Sequence, residues 1–123
     1  MTPKIVYSMH KKNLLLQYQE HKRAHQQLQA RALAEALALA TILVEEYGAQ
    51  CVYAFGPLTY REFSEGMSIE LAVEGISSDR LASALGHLNQ QSAFGVEVID
   101  IAYADSWAKR AILEKGTILA GRS

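Results

Sequence analysis

The chain contains few of the residues that stabilise small secreted or metal-binding domains. Cys51 is the only cysteine among 123 residues, which excludes an internal disulfide and a zinc site built from several cysteines. No uninterrupted apolar run reaches the roughly 18 residues that a membrane span needs, and no secretory signal is evident at the N-terminus. We therefore expect a globular, cytoplasmic protein that has no membrane segment and buries Cys51 in its core.

Basic residues are scarce in most of the chain but concentrated at its beginning. Residues 1–31 carry six lysines and arginines against Glu20 alone, a net charge of +5, whereas residues 32–123 sum to −6. A basic arm can bind nucleic acid, but this one is rich in glutamine and poor in aromatic residues. We favour a solvated helix face, or an arm lying on an acidic neighbour, over nucleic-acid binding.

Helix-breaking residues are absent between Lys11 and Tyr47, where no glycine or proline occurs. Good helix formers dominate this stretch, so we predict a helix roughly 55 Å long. Pro3 is expected to start a short extended segment over Thr2–Met9. We divide the chain into an N-terminal segment and long helix, residues 1–47, and a compact domain, residues 48–123.

The two halves of the predicted helix differ in their apolar residues. In the second half, apolar residues at helical spacing are predicted to pack on a sheet: Leu33, Leu37, Ala40, Val44 and Tyr47. In the first half such positions are fewer, and we expect another copy of the chain to cover them in a homodimer. His21 and His25 are at i, i+4, but without a third ligand a solvated helix face is favoured over a metal site.

The remaining residues predict short strands that alternate with helices. The strands are expected at Gln50–Phe55, Ser68–Val73 and Val96–Tyr103, and the helices at Ser77 or Ser78 to Gln91 and at Ser106–Lys115. Smaller elements are a Gly56-Pro57 turn, a helical turn at Leu58–Phe63, an Asp105 cap and an edge segment at Thr117–Ala120. The order is α-β-β-α-β-α, and Trp107 is expected to pack against the body.

The segment from Gly56 to Glu70 has the spacing of a nucleotidyl-transfer site. Such a site uses a Gly-Ser turn, ten residues, and then two aspartates at i and i+2, which share one face of a strand and bind Mg²⁺ together with a third carboxylate. Here the turn is Gly56-Pro57, and ten residues separate it from Ser68-Ile69-Glu70. Glu97 supplies the carboxylate from another strand.

Several segments resemble the minimal nucleotidyltransferases, small members of the DNA polymerase β-like nucleotidyltransferase superfamily. The resemblance covers about residues 46–119. The matching segments are Tyr47-Gly48, Val52–Gly56, Leu71–Gly75, Val96–Asp100 and Ile112–Gly116. It implies an α+β nucleotidyltransferase fold, with a small mixed sheet packed with helices and preceded here by the long helix.

The departures from the family pattern fall on its functional positions. Pro57 replaces the serine and removes both a hydroxyl and a backbone N–H. Ser68 replaces the first aspartate, and Glu70 and Glu97 are each one methylene longer than the family's residues. The positions that would meet a nucleotide are Gly56, Pro57, Arg61 and Ser68, although a surface role is favoured for Arg61. Glu70 and Glu97 are the remnant catalytic carboxylates and the candidate ligands of a weakly bound Mg²⁺.

Three alternative functions stay open, of which the resemblance implies the first two and the long helix suggests the third. The first is a catalytically impaired binding module or antitoxin, whose partner is a helical protein of the HEPN type. The second is an active metal-dependent nucleotidyltransferase that transfers a nucleoside monophosphate to a protein or small acceptor. The third is a self-associating scaffold built on the long helix. Mg²⁺ is required only for the second, and a weakly bound nucleotide is compatible with the first.

Overall fold

The chain is described by a computed structural model over residues 3–121, with side chains over residues 11–121. In this part the chain forms an α+β fold, as predicted. The helices are α1 (Pro3–Tyr47), α2 (Ser78–Gln91) and α3 (Ser106–Lys115), and the strands are β1 (Cys51–Phe55), β2 (Ile69–Glu74), β3 (Val96–Asp100) and β4 (Thr117–Gly121). Two 3-10 turns follow β1 and β3, at Gly56–Leu58 and Ile101–Tyr103.

The four strands form one mixed sheet in the order β3-β2-β1-β4. β1 is antiparallel to both β2 and β4, whereas β2 and β3 are parallel. A parallel pair needs a crossover connection, and α2 supplies it between these two strands. The predicted edge segment is confirmed as β4, which pairs with β1 and extends to Gly121.

The two faces of the sheet are covered by different helices. Alternate strand residues, including Val52, Leu71 and Val73, pack with α1 and α2 in the larger apolar cluster. The intervening residues, including Ala72, pack with Ile112 of α3 in a smaller cluster. Cys51 is buried with a free thiol, as predicted.

Helix α1 begins earlier than the sequence predicted. The extended segment is wrong over residues 3–9, because α1 already begins at Pro3, and Thr2 lies outside the described residues. Proline fits the first turn of a helix, since the N–H that it lacks would have no intrahelical partner there. The C-terminal end is confirmed: Gly48 has φ +75°, and its N–H donates to the carbonyl of Val44 at 3.2 Å.

The face of α1 that packs on the sheet is only partly the one that the sequence predicted. Leu33 and Leu37 are 42% and 45% exposed, so their predicted packing on the sheet is wrong. Ala40 is fully buried, and Val44 and Tyr47 pack against the larger apolar cluster, as predicted. The buried residues of α1 are Ala32, Ala36, Leu39, Ala40 and Leu43. Small alanine side chains let the helix approach the sheet closely, and Leu39 and Leu43 fill the space between them.

Three local predictions were also wrong in detail. β3 ends at Asp100, because its Oδ1 accepts the N–H of Ala102 at 2.9 Å and starts a 3-10 turn, which replaces the strand predicted to Tyr103. The helical turn after β1 is a 3-10 turn at Gly56–Leu58 rather than at Leu58–Phe63. Trp107 is 81% exposed and does not pack against the body. The Asp105 cap is confirmed, with Oδ1 accepting from Ala108 N at 2.8 Å.

Helix α1 is also long and apolar enough, by length and composition alone, to cross a membrane. Its part from Lys11 to Tyr47 contains an 18-residue window with a mean hydropathy of 1.3, of which 28% is buried inside the protein. The window averages over interrupted apolar residues, some of which form the face that packs on the sheet. Hydropathy therefore does not separate a core helix from a membrane helix here, and the absence of a membrane segment stays a prediction.

Candidate functional site

Glu70 and Glu97 lie side by side on the face of the sheet that carries α3. They are paired in the register of the parallel strands β2 and β3. Neighbouring strands are about 4.8 Å apart, and paired residues point to the same face, so the two side chains leave the sheet together. This face also carries Ala72 and Ile99, which contact α3 residues in the smaller apolar cluster.

The environment of Glu70 favours its protonated form. Partial burial raises the pKa of its carboxyl above the usual value, and repulsion from Glu97 raises it further. The second effect is an electrostatic sign that the two carboxylates lie close together. A cation bound between them would remove this repulsion.

Gly56 lies directly against Glu70. It follows Phe55, which is paired with Glu70 between the antiparallel strands β1 and β2. Its φ of +76° favours glycine, and a Cβ at this position would overlap Oε2 of Glu70. Pro57 comes next, within the 3-10 turn, and contributes no N–H. The turn and the carboxylate therefore meet, as the predicted site requires.

Ser68 lies just before β2, and its Oγ is 2.9 Å from the place where a Cβ of Gly95 would be. Ser68 also lines a cleft of about 330 Å³ together with Arg31 of α1 and Phe94. Because the side chain of Ser68 is a neutral hydroxyl, it does not add a third carboxylate to Glu70 and Glu97.

Arg61 lines a different cleft, beside α1. It has φ +58°, a left-handed conformation that is uncommon for a residue other than glycine. Its carbonyl oxygen accepts a hydrogen bond from Nε2 of His25 at 3.0 Å. Its cleft includes Ala54 and Leu58, which belong to the apolar cluster on the α1 face, opposite Glu70. The structure thus brings Gly56, Glu70 and Glu97 together and places Arg61 elsewhere.

The carboxylates present do not fit a two-metal site. Within the part of the chain that the structure describes, no three His, Cys, Asp or Glu side chains form a group that could hold a metal ion. Two bridged Mg²⁺ ions need several hard oxygen ligands in near-octahedral geometry, and Glu70 with Glu97 supplies two side chains. His25 does not form such a group with His21, and it bonds the backbone instead.

Sequence reasoning missed the residues that attach the loop after β1 to α1. Gln29 donates from Nε2 to the carbonyl of Leu58 at 2.7 Å, and its Oε1 accepts the N–H of Phe63 at 3.0 Å. With the bond from His25 to Arg61, these contacts fix both ends of the segment 58–63. No signal in the sequence singled out Gln29, because it lies among other glutamines in a part of the helix that was predicted to face solvent.

These elements form a nucleotidyltransferase-like fold, in which helices pack on both faces of a mixed four-stranded sheet. The glycine turn and the paired carboxylates lie on one of these faces. No protein-family model matches the chain, and no curated protein sequence matches it.

Solved structures carry the same fold. One is a toxin–antitoxin crystal structure with AMP-PNP, which is 16% identical, has a TM-score of 0.63, and matches 71% of this chain and 74% of its own. Another is the toxin–antitoxin MntA-HpeT in a mutant form in which two aspartates at i and i+2 are replaced by glutamate. It is 18% identical, has a TM-score of 0.58, and matches 68% of this chain and 70% of its own. At these identities the likeness concerns the fold.

Proposed function

We propose that the protein is a nucleotidyltransferase-like binding module of the toxin–antitoxin type, with impaired nucleotidyl transfer. The observation that carries the proposal is the pair Glu70–Glu97, which lies at the glycine turn of this fold and to which the described residues add no third carboxylate. The scaffold that would position a nucleotide is present, and the ligands that would bind two metal ions are incomplete.

Three substitutions account for the impairment. Ser68 brings no charge to the metal ligands, Pro57 has neither the hydroxyl nor the N–H of a Gly-Ser turn, and Glu70 is longer than the aspartate it replaces. A misplacement of about 1 Å in an active site can lower a rate by about 10²-fold, so the lengthening alone is costly. The chain is a degenerate minimal nucleotidyltransferase in this proposal.

The proposed partner is a helical protein of the HEPN type. The two solved structures described above are toxin–antitoxin assemblies, which supports a protein partner for this fold. Exposed apolar side chains on the first half of α1 offer a surface for it: Leu14, Leu15, Leu16 and Tyr18. Such a module would act in the cytoplasm by binding, without turning over a nucleotide.

A transfer assay tests the impairment. The purified protein is incubated with labelled nucleoside triphosphates and either Mg²⁺ or Mn²⁺, with and without a co-expressed partner, and we expect no transfer. The variant Ser68→Asp with Glu70→Asp adds the missing carboxylate and is expected to bind Mn²⁺ more tightly than the wild-type chain. Efficient metal-dependent transfer by the wild-type protein would sink the proposal.

The second candidate is an active metal-dependent nucleotidyltransferase, favoured by the adjacency of Glu70 and Glu97. Here the pair holds one Mg²⁺, and the nucleotide moves from the triphosphate to a protein or small acceptor. Calorimetric titration of ATP with Mg²⁺ separates the candidates: binding followed by transfer that Glu70→Gln abolishes supports the enzyme. No heat at millimolar ATP rules the enzyme out.

The third candidate is a self-associating scaffold in which α1 pairs with a second copy as a homodimer. It is favoured by the length of α1 and by the exposed side chains in its first half, among them Tyr18 at 65% and Leu14 at 59% exposure. The charge asymmetry adds support, because the basic arm of one copy could lie on the acidic body of another. The oligomeric state of variants in this arm provides the test.

A further inference from the structure

A second cleft lies on the face of the sheet opposite Glu70, between α1 and the loop that follows β1. Its volume is about 540 Å³, within the range of small-molecule sites. The buried Ala54 and Leu58 form an apolar floor, and Leu33 of α1 adds an apolar wall that is 42% exposed. These residues explain why Leu33 is not packed on the sheet: it borders an open cleft.

The permanently charged side chains that line this cleft are all positive. Lys22 and Arg61 bring permanent positive charges, and His25 lies between the helix and the loop. Thr59 and Thr117 add hydroxyl groups, and none of the described residues that line the cleft is an aspartate or glutamate. Lys22 and Arg61 therefore give the lining of this cleft a net positive charge, which would attract an anionic ligand.

The loop is held in place before any ligand binds. His25 bonds the carbonyl of Arg61 and Gln29 bonds Leu58, so the rim is fixed to α1 on one side. Arg61 keeps an uncommon left-handed φ of +58° in which glycine or asparagine would be less strained. Strained conformations of this kind concentrate at ligand sites, where they aim a particular side chain.

We propose that this cleft binds an organic phosphate: a phosphate monoester attached to a flat apolar body of mononucleotide size. The guanidinium of Arg61 matches two phosphate oxygens, and Lys22 supplies a point charge. The apolar body lies on Ala54, Leu58 and Leu33. The site is separate from the Gly56–Glu70–Glu97 face, needs no metal ion, and does not depend on the proposed function.

Nuclear magnetic resonance titration of the full-length, ¹⁵N-labelled protein tests the site. AMP is added in the presence of EDTA, with phenyl phosphate, adenosine and inorganic phosphate in parallel. We expect shifts at the amides of Ala54, residues 58–61 and Thr117 with AMP and phenyl phosphate, and weaker shifts with adenosine or inorganic phosphate. Shifts confined to the surroundings of Glu70 and Glu97, or none at millimolar AMP, would overturn the proposal.

Variants locate the phosphate. Arg61→Gln and Lys22→Gln should each weaken AMP binding about tenfold or more, the loss expected for one charge-assisted hydrogen bond. Arg61→Lys keeps the positive charge but loses the two parallel N–H donors of the guanidinium. Its affinity for AMP should therefore lie between that of these variants and that of the wild-type protein. Arg110→Gln, an exposed arginine on α3, is the matched control and should bind normally.

Two results would contradict the assignment of the cleft. Equal losses in Arg61→Gln and Arg110→Gln would indicate general charge attraction rather than a site. Binding of a glutamate-rich helical peptide to the cleft, without binding of AMP, would replace the small-molecule site with a protein interface. Neither result bears on the transfer assay, so a failure here is distinguishable from a failure of the proposed function.

Discussion

Gly56 shows how one residue meets two structural demands at once. The sequence predicted a glycine turn there, and its φ of +76° agrees. The structure adds a contact, because the carboxylate of Glu70 occupies the space of a Cβ at this position. A side chain at residue 56 would therefore disturb the candidate site as well as the turn.

Gly56→Ala is expected to lower the free energy of unfolding by about 1–2 kcal/mol, since an L-residue is strained at this φ. Gly66→Ala is the matched control: Gly66 has φ +85° and nothing within 4 Å of its Cβ position. Both changes should cost similar stability in urea denaturation. Only Gly56→Ala should shift the side-chain resonances of Glu70, and an equal shift in both variants would contradict the contact.

Glu70 also makes stability depend on pH. Its pKa is raised in the folded protein by burial and by Glu97, so the folded state binds the proton more tightly than the unfolded state. The contribution of Glu70 to stability is then highest below the ordinary glutamate pKa and declines as the pH rises through the raised value. Glu70→Gln should raise the melting temperature at neutral pH and flatten this decline.

The control for this effect is Glu97→Gln, which removes only the repulsion. It should lower the pKa of Glu70, measured from its ¹³C carboxyl resonance, without returning it fully to the ordinary value, because burial is the larger cause. An unchanged pKa would mean that the two carboxylates do not lie side by side in solution. The sequence predicted that Glu70 and Glu97 come from two different strands, but only the strand register made them neighbours.

At the scale of elements, the packing of α1 shows the limit of sequence periodicity. The stretch from Ala32 to Val44 contains alanine or leucine on nearly every side, so neighbouring stripes have similar apolar content. The sequence selected the stripe through Leu33 and Leu37, and the structure buries that through Ala32, Ala36 and Leu43. The fit of small residues against a sheet surface decided between the two stripes, and that surface exists only after folding.

Gln29 joins α1 to the loop after β1 through both ends of its side-chain amide. Gln29→Ala should reduce the free energy of unfolding by about 1–3 kcal/mol, because Leu58 O and Phe63 N lose a partner in a partly buried place. Gln17→Ala, on the exposed first half of the same helix, should change it little. Thermal and urea unfolding measure both, and equal effects would indicate that only helix propensity had changed.

At the scale of the whole molecule, charge and apolar exposure fall on the same arm. The first 31 residues carry a net charge of +5, and the exposed side chains of Leu14, Leu15, Leu16 and Tyr18 lie on that part of α1. The folded body carries the compensating negative charge. Association through the arm would therefore combine apolar burial with salt-sensitive attraction.

Leu15→Gln with Tyr18→Gln is expected to shift the protein toward the monomer in sedimentation velocity, since both side chains are more than half exposed in the single chain. The melting temperature of the monomer should hardly change, because neither residue belongs to the apolar clusters. Leu113→Gln, a 50% exposed leucine on α3, is the control and should leave association unchanged. A wild-type protein that is monomeric at all concentrations would contradict the homodimer.

The sequence by itself determined the glycine turn and the approximate position of most elements after Tyr47, because these follow from local propensity and from the two-residue period of a strand. The tertiary structure decided which side of α1 is buried, that Glu97 stands beside Glu70, and that Arg61 borders a cleft on the other face. Those relations depend on register and close packing between segments far apart in the chain. A one-residue shift in the register of β2 and β3, which hardly alters the local pattern of the sequence, would already separate Glu97 from Glu70.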